Sequence, residues 1–415
     1  MPRVQVPGGM HLKSYEEVVG ILNNDLNICD TTLLNAEQAA GVVLSDIEKY
    51  RIAVLLDAAG VPELCVGMPM SGHEEKTSIR HIARMGLHAS VMTNNRAETS
   101  DIDNSLDCDV DAVTITMPTS KILVENLLQT NTQWVLEKMV ETVSYAKEHG
   151  LYVNCNMMDA PRGDLGFLIN YAMYARDAGA DRITYQDSVG VANPFVIRDH
   201  LKTLRQIVNI PIGVAGANDF GLAVANTLAG IDTGATFACG SILGIGARAG
   251  MAPTEELAII AKNLLGYETG IDMIKLKHVA ESVSKYTGRD ISASKPVFGR
   301  SVFAQEAVTS EELANILEPY DPAQVGTGRE IVLGKHTSKY SVQGVMSAMN
   351  VGISDEEAEE LAEAVKKASL SFHRSLTPDE LLTLYEDMSS GYDVFDEKVE
   401  ESVPQVAQQT EPDNE

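Results

Sequence analysis

Between about residues 27 and 262 the chain repeats one pattern eight times: a short run rich in β-branched and apolar residues, then a helical stretch. Strands that alternate with helices form a parallel sheet covered by those helices, and eight such units are the number that closes a (β/α)8 barrel. The expected strands are Leu26–Asp30, Glu63–Met68, Ala89–Thr93, Ala112–Met117, Tyr152–Met157, Arg182–Asp187, Ile212–Ala215 and Thr236–Gly240. Four of them follow related turn phrases, Asp57-Ala-Ala-Gly-Val, Asp107-Cys-Asp-Val-Asp, Asp177-Ala-Gly-Ala-Asp and Asp232-Thr-Gly-Ala-Thr, which end one helix and start the next strand.

This organises the chain as an N-terminal segment (1–26), an α/β TIM barrel (27–265), a linker or lid region (266–330), a small helical subdomain (331–386) and an acidic disordered tail (387–415). The last helices, near Asp355–Ser369 and Thr377–Asp387, carry capping residues and acidic first turns.

Charge narrows the function classes. With 32 Lys and Arg against 59 Asp and Glu, the net charge of −27 disfavours contact with nucleic acid or anionic lipid. No apolar run approaches the roughly 18 residues that span a bilayer, and the first residues lack a secretory pattern, so a cytoplasmic location is expected. The five cysteines are widely spaced and form no CxxC pair, which implies reduced thiols, and the nine histidines form no HxH or HExxH pair.

In a barrel of this type the chemistry lies at the C-terminal strand ends. There the sequence resembles the superfamily of homocitrate synthase, isopropylmalate synthase and hydroxymethylglutaryl-CoA lyase, and looks most like the nitrogen-fixation type of homocitrate synthase. The resemblance rests on Asp30-Thr-Thr-Leu-Leu-Asn-Ala-Glu-Gln, Leu64-Cys-Val-Gly-Met-Pro, Gln186-Asp-Ser-Val-Gly, Ala217-Asn-Asp-Phe-Gly and Gly244-Ile-Gly-Ala-Arg-Ala-Gly-Met, with Tyr320-Asp-Pro-Ala-Gln-Val-Gly and Gly334-Lys-His-Thr-Ser-Lys further on. It implies the barrel with a helical C-terminal extension, an acyl-CoA (acetyl-CoA foremost) as a compatible co-substrate, and a dimer, either with itself or with a related synthase.

The resemblance also implies a divalent metal that polarises a 2-oxo acid, and here the chain departs from the pattern. The family's ligand positions fall at Asn35, Ala215, Ala217 and Met251, and its catalytic Arg falls at Leu34. Acidic positions of the family become Cys65, Met158 and Ala247, and a lid His becomes Gln305. Two alanines have no donor atoms and a thioether is soft, so no divalent metal is expected. Without the metal and its Arg, metal-dependent acyl transfer loses its largest catalytic contributions.

Period-two alternation turns Asn154, Asn156 and Met158 inward, and then Gln186 and Ser188. With Asn35, Asn94 and Asn95 they would make a mouth rich in neutral amides, suited to a small polar ligand or a carboxylate. Gln38, Arg96 and Asn218 complete the expected ligand-binding set. Two readings stay open. One is a non-catalytic ligand-binding or partner subunit; the other is a metal-independent enzyme built on Cys65, Asn35 and Gln38, with His73 or Arg96 activating the thiol. Bland readings stand beside both: Cys65 and the methionines near the strand ends as packing, and Asp30, Thr32, Glu37, Asp187, Asp219 and Arg248 as caps and rim charge pairs. The run Gly240-Ser-Ile-Leu-Gly-Ile-Gly lacks the dinucleotide spacing, although its amides could meet an anion.

Overall fold

The computed structural model describes residues 13–307 and 316–390. All eight expected strands form: β1 (Asn27–Asp30), β2 (Glu63–Cys65), β3 (Ser90–Arg96), β4 (Ala112–Pro118), β5 (Tyr152–Met158), β6 (Arg182–Asp187), β7 (Ile212–Gly216) and β8 (Phe237–Gly240). They are parallel, pair in sequence order and close through β1 on β8, with Cys29 opposite Cys239. The apolar faces of both strand surfaces are buried, which is why β4 and β5 are almost continuously apolar or small and uncharged.

The turn phrases act as expected. Helices Asp46–Ala58, Leu165–Asp177 and Ala223–Asp232 are followed by Gly60, Gly179 and Gly234, each with positive φ. After helix Thr99–Asp107 the same left-handed position is taken by Asp109 (φ 59°), a residue type that tolerates it better than most. At Gly234 the close approach is also steric, since a Cβ there would collide with the Arg205 guanidinium.

Below the barrel, helix α1 (Tyr15–Ile21) opens with a capping box made by Ser14 and Glu17. Its Val18, together with Leu22, packs into the cluster formed by inward residues such as Tyr152 and Phe237, and the Tyr15 hydroxyl donates to Asp181 Oδ1 at 2.6 Å. The N-terminal segment therefore contributes a helix that closes the N-terminal end of the barrel.

The chain divides into two compact units between Gly299 and Arg300, inside the stretch expected as a connection. In the second unit, helices Lys339–Ala348, Asp355–Phe372 and Pro378–Ser389 bury Val342, Met346, Leu361, Val365 and Leu381 in a core of their own. Capping boxes at Ser354/Glu357 and Thr377/Glu380 start the last two helices where the sequence placed them. The final helix runs to Ser389, past the expected start of the acidic tail; residues 391–415 of that tail lie outside the described residues. Among the described residues no helix is long and apolar enough to cross a membrane.

Candidate functional site

The barrel interior is built in tiers, because inward side chains recur every second residue on each strand. The lowest tier is an ion pair. Arg182 donates to both carboxylate oxygens of Glu63, at 3.1 and 2.5 Å, and both side chains are 0–1% exposed. The guanidinium carbon also lies 4.2 Å from the centre of the Phe237 ring.

Above it, hydroxyls and amides cross-link neighbouring strands. Thr184 Oγ1 donates to Asn154 Oδ1 at 2.9 Å, Asn154 Nδ2 to Thr114 Oγ1 at 3.1 Å, and Thr114 to the Met92 sulfur at 2.6 Å. One tier higher, Asn156 Nδ2 donates to Gln186 Oε1 at 2.8 Å and to Thr116 Oγ1 at 3.1 Å, and Thr116 donates to Asn94 Oδ1 at 2.6 Å. This upper ladder, Asn94–Thr116–Asn156–Gln186, lines a cavity of about 340 Å³ at the C-terminal mouth.

Eight of the nine positions where the family pattern is broken converge on that cavity, Gln305 being the exception. Leu34, Asn35, Cys65, Met158, Ala215 and Ala217 line it, together with Ala247 and Met251. Gln38 and Ser188 line it as well. In one corner Asn35 Nδ2 donates to Thr31 Oγ1 at 2.6 Å and to the Met251 sulfur at 3.0 Å, while an isolated bridge holds Ala217 beside Met251.

That corner does not fit the divalent metal which the family pattern implies. Two of the four positions are methyl groups, the third is a thioether already accepting N–H and O–H bonds, and the fourth offers one neutral amide oxygen. A hard or borderline cation needs several oxygen or nitrogen donors, and these four positions supply one.

Three sequence expectations need correction. Asn95 faces outward: its Oδ1 accepts from Ser105 and its Nδ2 meets Thr93, between β3 and the following helix. Alternation allows only one of two successive residues to point inward, and that residue is Asn94. Arg96 does not line the cavity, because it forms a two-pronged pair with Asp101 at 2.9 Å. Asn218 is also absent from the lining; its Oδ1 accepts from the Ala223 amide at 3.1 Å.

Cys65 reaches the cavity without the means of activation. Burial, reinforced by the Glu63 carboxylate, pushes its thiol far above the ordinary range. The exposed His73 is no part of the lining, and Arg96 is held by Asp101. Cys65 belongs to the buried apolar cluster that also holds Met92, Ala215 and Cys239. The amides of residues 241–245 are similarly committed, with Ile242 donating to Thr32 Oγ1, Leu243 to Glu255, and Ser241, Gly244 and Ile245 to backbone carbonyls. The rim residues behave as caps and pairs. Asp187 accepts from the amides of Gly190, Val191 and Ala192, Glu37 pairs with Lys49, and Asp219 with Arg248.

Sequence reasoning missed the Glu63–Arg182 pair and the threonines of both tiers. The signal was a charge at the start of β2 and another of opposite sign at the start of β6.

Comparison with known proteins agrees with this architecture. The family model described as HMGL-like matches residues 25–283. A 2-isopropylmalate synthase 2 of Caldanaerobacter subterraneus subsp. tengcongensis is 41% identical over 365 residues, covering 87% of this chain and 95% of that protein. Homocitrate synthase 1 of Nostoc sp. is 37% identical over 368 residues, covering 88% and 98%. Among solved structures, an HMG-CoA lyase of Bacillus subtilis superposes with a TM-score of 0.59 at 16% identity, over 64% of this chain and 95% of that one, a likeness of fold alone.

Proposed function

The chain belongs to the HMGL-like family, and from that premise we propose that it is a synthase homologue which binds a small polar molecule in its barrel mouth and no longer performs metal-dependent acyl transfer. One observation carries this reading: of the four family ligand positions, Ala215 and Ala217 end in methyl groups, Met251 offers a thioether that accepts from Asn35 Nδ2, and Asn35 keeps the single neutral side-chain oxygen. Leu34, at the position of the family's catalytic Arg, gives no positive charge to a developing oxyanion.

What remains suits binding. The mouth keeps a cavity of about 340 Å³ and a strand-to-strand ladder of amides and hydroxyls along its wall. The alternative of a rebuilt thiol enzyme has weaker support, because Cys65 is deeply buried and lacks a base. Docking of an acyl-CoA, and assembly as a homodimer or with a related synthase, belong to the same proposal and draw support from the synthases among its relatives.

The test is a pair of measurements on the full chain. Calorimetric titration with Mn2+ is expected to give no stoichiometric binding, and incubation with acetyl-CoA and a panel of 2-oxo acids no CoA release above background. Stoichiometric metal together with catalytic CoA release would overturn the proposal.

A further inference from the structure

Among the described residues, five sulfur-bearing side chains line the mouth cavity: Cys29, Cys65, Met158, Cys239 and Met251. Two of them are immediate neighbours. The barrel closes with Cys29 of β1 directly opposite Cys239 of β8, both side chains turn inward, and the Cys29 thiol donates a hydrogen bond to the Cys239 sulfur. Cys239 is 8% exposed, and on the inner face of a closed barrel that surface belongs to the cavity. Cys108 and Cys155 lie elsewhere.

The surroundings narrow what such a pair can hold. On β7, the strand beside β8, the neighbouring inward residue is Ala215, whose methyl group adds no donor. Among the described residues no three His, Cys, Asp or Glu side chains gather as a metal-binding group, so the four ligands of a structural Zn2+ site are not assembled. Thiolate sulfur selects Cu(I) instead, a closed-shell ion that accepts as few as two ligands.

We propose that Cys29 and Cys239 form a two-coordinate Cu(I) site on the wall of the barrel mouth. Each thiol gives its proton to solvent as the ion binds, so two S–H bonds are exchanged for two S–Cu bonds and no electron moves. The dithiolate–copper unit carries one negative charge. Arg182, on the same lining, favours that charge at both sulfurs, while its partner Glu63 opposes it. The site uses neither the amide ladder nor Asn35, and so goes beyond the small-molecule reading above without resting on it.

The experiment is anaerobic titration of the full chain against the Cu(I)–bicinchoninate complex, followed by copper X-ray absorption on the loaded protein. The parent is expected to withdraw stoichiometric Cu(I) and to hold it by sulfur alone. Cys29→Ala and Cys239→Ala should each weaken binding by about a hundredfold, the upper end of what losing a residue that merely supports a metal ligand costs. Cys108→Ala, away from the cavity, should change nothing, and a melting curve on each variant separates lost ligation from lost folding. Failure of the parent to withdraw copper overturns the proposal, as does unaltered affinity in Cys239→Ala, an equal loss in Cys108→Ala, or a copper spectrum showing nitrogen or oxygen ligands. Where a variant does not fold, the uptake and spectrum of the parent decide. None of these outcomes alters the result of the Mn2+ and acetyl-CoA measurements, which test the loss of acyl transfer separately.

Discussion

Removing the carboxylate of Glu63 should destabilise the barrel severely, and removing Arg182 with it should restore most of the loss. Both side chains are almost completely buried, and the guanidinium makes two hydrogen bonds to the carboxylate while its Nε has no partner among the described residues. Breaking one side of a buried pair typically costs about 3–5 kcal/mol, because a charge is left without compensation in a low-dielectric interior. In Glu63→Gln one acceptor oxygen survives and the Phe237 ring face, 4.2 Å away, still attracts the cation, so the lower end of about 3 kcal/mol applies. Glu63→Leu with Arg182→Met replaces the pair by apolar groups of similar length, and should lie within about 1 kcal/mol of the parent. The single tryptophan, Trp134, sits on the barrel helix Thr132–Glu148, so its fluorescence in urea reports this unit. A cost below about 1 kcal/mol for Glu63→Gln, or a double variant as unstable as the single one, would refute the reasoning.

Other consequences can be measured alongside. Burial raises the Asp30 carboxyl from 3.8 to about 6, against hydrogen bonds from Thr254 and Thr32. The folded state therefore holds this proton more tightly than the unfolded chain, and stability from this group falls as pH rises from about 4 to 6, by about 3 kcal/mol. Urea midpoints of Asp30→Asn against the parent should accordingly favour the variant more at pH 7.5 than at pH 4; a difference independent of pH would contradict the assignment. Asn35→Asp, Ala215→His and Ala217→His introduced together should create stoichiometric Mn2+ or Zn2+ binding by calorimetry, since the three positions line one cavity. All five cysteines are buried, and burial pushes Cys108 up to about 11, so iodoacetamide at pH 8 should alkylate none of them in the native state by mass spectrometry. Ser354→Ala, which removes a capping box from the second unit, should cost about 1 kcal/mol in thermal or urea unfolding.

The barrel was legible because its signals are local: eight β-rich runs, turn phrases and capping residues each report on a few neighbours. The inward set at Asn154, Asn156, Gln186 and Ser188 was legible for the same reason, since alternation along one strand needs no knowledge of the others. The misplaced residues failed through short-range competition. Arg96 found Asp101 five residues on, and Asn218 found the Ala223 amide at the same spacing. Such contacts close small loops at little entropic cost, so they win over a place in the cavity. Glu63 and Arg182 failed in the opposite way, being 119 residues apart and meeting only because the closed sheet brings β2 and β6 to face each other. Nothing near either residue announces the other.

Helix α1 has a consequence for traffic through the molecule. With Val18 and Leu22 packed under the lowest tier, the barrel has a stopper at one end and the amide ladder near the other. It is a cul-de-sac, not a conduit. Two molecules bound one above the other would have to leave in reverse order of arrival, and escape of the deeper one would be throttled by whatever occupies the space beside Asn156 and Gln186.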